Sequence, residues 1–486
     1  MTMNYKMMGR LGSFILLFEA FFMVPSAVLC FADGDRRGGF AFLITIGIVL
    51  VLFGALALLS IGAKKGFYAR EGLVTVGLGW VVLSLTGSLP FCISGQIPDF
   101  IDALFETVSG FTTTGATIVT DYARLSRGMF YWRSFTHWIG GMGVLVFLLA
   151  VIPLSGKNEG FAMHILRAES PGPDVGKLVP KMRRTAAILY AVYIVLTVVT
   201  IAAYAICGMP FFEAVCHGFG TAGTGGYGVL ADSFAGYSPA IQVAAAVCMI
   251  LFGINFNCYF LLIMGKIRGV ALDEELRFFL GTVLVSTAMI TINVRSLYAT
   301  FGETLRHSFF QVSSIVTTTG FSTVDFDAWP AFSKVILLIL MITGACAGST
   351  GGGLKCARVL ILLKGIRRNV SQILRPRRVQ SLRISGKAVD ERVISNTNAY
   401  FAAYMAIIGL SFILISVDGF SVTTNISAVL ACFNNIGPGL DAVGPSLSYA
   451  SYGVFSKIVL ILDMLAGRLE IFPILVLFAP ATWKRR

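Results

Sequence analysis

Phe111–Thr112–Thr113–Thr114–Gly115–Ala116–Thr117 holds no charge and no acid–base side chain, yet its residue types permit one kind of chemistry. A near copy follows as Val316–Thr317–Thr318–Thr319–Gly320–Phe321–Ser322–Thr323. Two looser copies are Thr224–Gly225–Gly226–Tyr227–Gly228 and Asn434–Asn435–Ile436–Gly437–Pro438–Gly439. Threonine and glycine weaken a helix, and glycine reaches φ > 0, so consecutive carbonyls can be aimed where a helix forbids. Irregular backbone at membrane depth survives only when buried in protein or lining a watery path. A ring of such carbonyls can replace the water shell of an alkali cation. Four copies in one chain would close that ring without oligomerisation.

These turns need elements to hold them, and the composition says which kind. The chain of 486 residues is 56% hydrophobic and 13% charged, with mean hydropathy +0.80. About twice that charged fraction is usual in a soluble domain, so the chain reads as a polytopic membrane protein. Its net charge of +13 sits in loops between apolar stretches, which fits an anionic leaflet better than nucleic acid. The nine cysteines are scattered without a C-x-x-C pair and read as buried small hydrophobes, not a disulfide framework. Lys6 and Arg10 precede an apolar run with no evident cleavage site, which predicts an uncleaved first helix.

Apolar stretches at Leu11–Phe31 and Gly39–Ile61 predict a helical hairpin, each arm long enough to cross about 30 Å of hydrocarbon. A module of span, short half-helix, turn and span then repeats four times, with turn glycines roughly 95–115 residues apart. The first module is Leu73–Ser94, Ile97–Gly110, turn, Phe130–Ile152; the second is Ala186–Cys207, Phe211–Gly220, turn, Ile241–Met264. The third is Phe278–Ala299, Leu305–Val316, turn, Phe332–Leu363; the fourth is Ala399–Ile415, Val422–Phe433, turn, Tyr452–Phe478. The expected fold is all-α: a hairpin over 1–66, then modules over 67–155, 156–268, 269–366 and 367–486, arranged pseudo-fourfold around one pore.

One side of the predicted spans carries Lys64, Lys65, Arg70, Lys157, Arg167, Lys177, Lys181, Arg183, Arg184, Lys266, Arg268 and the basic loop Lys355–Arg392, which holds Arg367, Arg368, Arg375, Arg377 and Arg378. The tail Lys484–Arg486 joins them, whereas the opposite side has mainly Arg36, Arg37, Arg124 and Arg127. The positive-inside rule puts both termini in the cytoplasm and opens the turns outward. An acid follows each turn: Asp121, Asp232, Asp325 with Asp327, and Asp441. Grouped at one mouth they would concentrate cations; the plainer alternative is that aspartate favours turns. Each half-helix would point its negative C-terminal end at the turn.

Two features lie beyond the turns. Gly344–Ala345–Cys346–Ala347–Gly348–Ser349–Thr350–Gly351–Gly352–Gly353 interrupts a predicted span. Small residues can mark close helix packing, but ten in a row predict a break. Arg468 falls inside the last apolar span, where a cation is costly and faces a cavity or a partner. It either pairs with Glu470 or Asp463 or faces a cavity.

Four modules with Thr-Thr-Gly-type turns resemble the Trk/Ktr/HKT superfamily of cation transporters across essentially the whole chain. The N-terminal hairpin, Thr136–His137–Trp138–Ile139–Gly140–Gly141–Met142–Gly143, Gly348–Ser349–Thr350–Gly351–Gly352–Gly353–Leu354–Lys355 and Gly467–Arg468–Leu469–Glu470 are similar to its TrkH/TrkG branch. The resemblance implies potassium uptake across a bacterial inner membrane by a homodimer working with a cytosolic nucleotide-binding subunit of the TrkA type. It implies a filter at Gly115, Gly226, Gly320 and Gly437, with Thr113, Thr114, Thr224, Gly225, Thr318, Thr319, Asn435 and Ile436 contributing backbone. It also implies an intramembrane gate at Gly348, Ser349, Thr350, Gly351, Gly352 and Gly353, with Lys355 connecting it to the partner, and puts Arg468 in the permeation path. In some plant relatives a serine at the first glycine accompanies sodium transport; Gly115 favours potassium. Either Gly225 or Gly226 could be the second filter glycine.

Other signals carry less. Gly223-x-Gly225-x-x-Gly228 fits a dinucleotide fingerprint but has no βαβ unit around it. His137, His164, His217 and His307 lack metal-ligand spacing. No nucleophile–base constellation appears, so neither an enzyme nor an organic cofactor is expected; the transported ion, K⁺, is the only ligand. An alternating-access symporter coupled to H⁺ or Na⁺, which also uses broken helices, and a non-conducting scaffold subunit are the competing readings.

Overall fold

The computed structural model describes residues 3–63, 68–141, 143, 182–376 and 380–484. Lys64, Lys65, Lys157, Arg167, Lys177, Lys181, Arg377, Arg378, Arg485 and Arg486 lie outside the described residues, as do the side chains of Arg183 and Arg184. Helices α1 (Tyr5–Ala32) and α2 (Arg36–Leu59) form the N-terminal hairpin. Asn4 accepts from the Met7 amide and Asp35 from the Gly38 amide, closing the free amides that begin each helix. The hairpin packs on α3 (Ala69–Ser94) and α5 (Arg127–Gly141).

Four short helices precede the four turns: α4 (Phe100–Phe111), α7 (Phe211–Gly223), α11 (Phe301–Val316) and α15 (Val422–Phe433). Asp99, Thr300 and Ser421 cap α4, α11 and α15, and Pro210 precedes α7. Long helices α6 (Met182–Ile206), α10 (Glu274–Asn293) and α14 (Glu391–Ile415) lead into the last three of them. After the turns come α5, α8 (Pro239–Gly253), α12 (Ala331–Thr343) and α16 (Val454–Arg468). Each of these packs on the short helix of the next repeat: α5 on α7, α8 on α11, α12 on α15, and α16 back on α4. Among the described residues, six helices are long and apolar enough to cross a membrane.

Two spans expected to be continuous are broken. Ile241–Met264 bends by 88° between α8 and α9 (Phe256–Ile263). Asn255 causes the restart, its side chain accepting from the Asn257 amide. Tyr452–Phe478 breaks after Arg468, where Glu470 and Ile471 take φ of +61° and +63°, before α17 (Phe472–Phe478). In the third repeat the chain leaves helix at Thr343 and re-enters it at α13 (Cys356–Leu374), so the first half of the expected basic loop is helical. Phe130–Ile152 is helical to Gly141; most of its remainder lies outside the described residues. All nine cysteines are free thiols, and Cys92 and Cys207 are the two that are not fully buried.

Glycine decides the closest helix approaches. A Cβ on Gly140 would stand 1.8 Å from the Phe111 carbonyl, and one on Gly467 would stand 1.8 Å from that of Phe433. Alanine at either should cut the yield of monodisperse protein several-fold by fluorescence-detected size exclusion, since overpacking against backbone has no easy relaxation. Alanine at Gly47, which meets nothing within 4 Å on α2, should leave the yield unchanged.

Candidate functional site

All four turns share one backbone. The amides of Thr114, Gly225, Thr319 and Ile436 each donate at 2.8 Å to the carbonyl five residues earlier: Ser109, Gly220, Ser314 and Ala431. The preceding amides of Thr113, Thr224, Thr318 and Asn435 donate to the carbonyl three residues earlier. This pair of bonds is a Schellman motif, which requires a left-handed residue after the helix. Thr113, Thr224, Thr318 and Asn435 take that role with φ of +56°, +56°, +59° and +55°. For a β-branched threonine this conformation is an outlier, costing roughly 1–2 kcal/mol. Hydroxyl pairs offset part of it, Thr112 with Thr114 and Thr317 with Thr319, each at 2.8 Å.

Two residues on, the chain turns left-handed again at Gly115, Gly226, Gly320 and Gly437, with φ of +82°, +78°, +83° and +96°. Here both conformation and space require glycine. A Cβ on Gly115 would stand 2.1 Å from the Gly225 carbonyl, and one on Gly226 would stand 1.9 Å from that of Thr319. On Gly320 it would stand 1.9 Å from the Ile436 carbonyl, and on Gly437 2.7 Å from that of Thr114. The contacts run from turn one to two, three, four and back to one, and the carbonyls in the cycle come from equivalent positions. A cavity of about 260 Å³ is lined by all four of these glycines.

On the other side of the turns lies the segment from Gly344 to Lys355. The Gly352 amide donates to Thr318 Oγ1 at 2.6 Å, and a Cβ on Gly352 would meet the Asn434 carbonyl at 2.3 Å. The break in the second repeat holds its far edge: the Cys346 amide donates to Gly253 O at 3.1 Å and the Phe256 amide to Gly348 O at 3.0 Å. Ser349 Oγ donates to Cys346 O at 2.7 Å. Gly353 and Lys355 take positive φ, and the buried Lys355 ammonium donates to Gly351 O. Arg468 donates to Thr350 O at 2.8 Å and to Gly140 O and Gly141 O at 2.5 and 2.6 Å. It therefore ties this segment to the end of α5. Glu470 is bonded to Arg358, and Asp463 accepts from Ser411 at 2.7 Å.

The profile of the TrkH family, described as cation transport proteins, matches residues 39–485. This chain belongs to the TrkH family. It is 35% identical over 492 residues to the Trk system potassium uptake protein TrkH of Salmonella typhimurium, covering 99% of this chain and all of that one. It is 32% identical to TrkG of Escherichia coli, covering 99% of each chain. A crystal structure of the potassium transporter TrkH from Vibrio parahaemolyticus superposes with a TM-score of 0.86 at 30% identity, covering 98% of this chain and 99% of that one. As a member of the TrkH family the chain is a multi-pass membrane transport protein and not an enzyme.

Within this TrkH-family chain, backbone geometry resolves the second-repeat register: Gly226, not Gly225, matches Gly115, Gly320 and Gly437. Gly225 falls where the other repeats carry Thr114, Thr319 and Ile436, and a Cβ there would lie 2.2 Å from His137 Nδ1. His137, whose Nδ1 lies 2.8 Å from Gly110 O, fills the room of the missing side chain. In the fourth repeat Asn435 Nδ2 donates to Thr114 Oγ1 and to Met464 O, both at 2.9 Å, bridging turns four and one.

Asp121, Asp232, Asp325 and Asp441 are all exposed, and none lines the cavity. Asp121 accepts from the Ala123 amide and pairs with Arg124, and Asp325 accepts from the Asp327 amide. Asp441 accepts from Ser421 and Thr424 at 2.5 and 2.6 Å, and these bonds, Ser421's first, hold its carboxyl below the usual range. Local turn building accounts for Asp121 and Asp325, whereas Asp441 is bonded to the start of α15.

Proposed function

We propose that this chain takes up potassium ions across a bacterial inner membrane through a filter of backbone carbonyls. The observation that carries the reading is the closed cycle of the four turns, each glycine against the carbonyl before its neighbour's glycine. Four equivalent modules around one axis then form a pseudo-fourfold pore, divided as read from the sequence. A fixed ring of carbonyls can replace the hydration shell of a cation. The short helices end at the turns, so their negative ends favour positive charge there. The four exposed aspartates add negative potential at the outer mouth.

The segment Gly344–Gly353 with Lys355 is the gate, lying against turns three and four, and Arg468 clamps it shut from the permeation path. Lys355 and the basic helix after it transmit the state of a cytosolic nucleotide-binding subunit of the TrkA type. The protein acts as a homodimer with both termini in the cytoplasm. Potassium uptake is the activity named for the relatives from Salmonella typhimurium and Escherichia coli.

Cation flux in proteoliposomes containing this chain, alone and with the cytosolic subunit, tests the reading. K⁺ and Rb⁺ should move at least about tenfold faster than Na⁺ and Li⁺, the discrimination that 1.4 kcal/mol confers. Equal rates for all four ions would contradict a carbonyl filter. Absence of unitary currents alongside transport coupled to H⁺ or Na⁺ would favour alternating access instead.

A further inference from the structure

Behind the first two turns lies a buried ion pair that the filter reading does not use. Glu106, on α4, and Arg133, on α5, meet at 2.5 Å with side chains 0% and 1% exposed. The Glu106 carboxylate also accepts from Thr117 Oγ1 at 3.0 Å and from the Ile118 amide at 2.9 Å. Both donors belong to the strand that leaves Gly115. Arg133 reaches the other way: Nη1 donates to Gly228 O at 2.9 Å, two residues past Gly226. Its guanidinium lies 3.5 Å from the centroid of the Tyr227 ring. The Tyr227 hydroxyl donates to Glu106 O at 2.6 Å, closing the circuit.

The arrangement is confined to one corner of the ring. The positions nine residues before the other turn glycines are His217, Gln311 and Ala428. Gln311 reaches only the Val324 carbonyl, at 3.4 Å, and Ala428 has no polar group to offer. Burying two charges is costly unless their geometry is tight, and this pair bonds the segments leaving both turn one and turn two. Arg133, Thr117, Tyr227 and Gly228 all border the cavity above the turns.

We infer that Glu106 and Arg133 are positioning residues for ion discrimination: their ion pair sets the spacing between the strands leaving turns one and two. The inference rests on the filter proposed above. Without the pair those strands separate, and the first two turns no longer reject a smaller, more strongly hydrated cation.

Cation-dependent thermal stabilisation of the purified full-length chain in detergent reads this without requiring an open gate, because a bound ion raises the unfolding midpoint by mass action. The measured quantity is the ratio of Na⁺ to K⁺ concentrations giving half-maximal stabilisation. Glu106→Gln alone leaves a buried unpaired guanidinium and is expected to lower the ion-free midpoint. The double variant Glu106→Gln, Arg133→Gln removes that charge and is expected to regain most of the midpoint. Its Na⁺/K⁺ ratio should nonetheless fall by about tenfold, the scale set by losing charge-assisted bonds. A purely structural pair would shift the ion-free midpoint and leave the ratio unchanged, which overturns the inference. Gly115→Ser, measured beside it, separates the two levels. If that variant changes the ratio and the double variant does not, only the positioning role fails. If Gly115→Ser leaves the ratio unchanged, the filter itself is elsewhere and the positioning role falls with it.

Discussion

Alanine at Gly320 is expected to reduce potassium flux in proteoliposomes by at least about a hundredfold. Its Cβ would stand 1.9 Å from the Ile436 carbonyl and 2.9 Å from Pro438 Cδ, so the turn of the fourth repeat must move away. The residue also sits at φ +83°, where a side chain is disfavoured. Displacing one carbonyl of a coordinating ring by even a few tenths of an ångström costs several kcal/mol in overpacking and lost coordination. Gly95 supplies the control. It has φ +75° and nothing within 4 Å of a Cβ, so alanine there meets the conformational penalty alone, about 1 kcal/mol. Gly95→Ala should keep flux within about twofold of wild type. Comparable losses in both variants would show that backbone strain, and not the cycle of turns, governs activity.

Arg468→Ala is expected to raise basal cation flux by about tenfold or more. The side chain donates to three carbonyls, one on the segment below the turns and two at the end of α5. Each charge-assisted bond contributes about 1.5–3 kcal/mol, so with the proposed gate its loss shifts the balance between closed and open arrangements by more than a factor of ten. On the proposed permeation path, removing the charge also removes a repulsion. Stopped-flow flux of the chain alone measures the basal rate, and size exclusion reports the amount of folded protein. Unchanged flux with a reduced yield would assign Arg468 to structure alone.

The turns were legible in the sequence because their demands are local: glycine where φ is positive, small polar residues where a helix must stop. The break at Gly344–Gly353 was legible for the same reason. The left-handed threonines at Thr113, Thr224 and Thr318 were not, because β-branched residues rarely take that conformation. Only the Schellman bonds reveal it. The breaks at Asn255 and Glu470 were hidden inside apolar runs, although Asn255 between Ile254 and Phe256, and Pro473 after Arg468, are signals that could have exposed them. Glycine-rich spacing in the second repeat read as ambiguity. The fold resolves it, because His137, 88 residues before Gly225, fills the space. Glu106 and Arg133 leave no signal in the sequence, because an ion pair between two helices has no signature in local spacing. The acids after the turns are conspicuous, yet Asp121 and Asp325 cap their own turns and Asp441 is bonded to the start of α15.

The most direct test of a carbonyl filter is anomalous diffraction from crystals grown in rubidium or thallium salts. A cation peak is expected on the axis of the four turns, ringed by the carbonyls of Thr114, Gly225, Thr319 and Ile436. A structure whose cation peaks all lie away from those four carbonyls would contradict it.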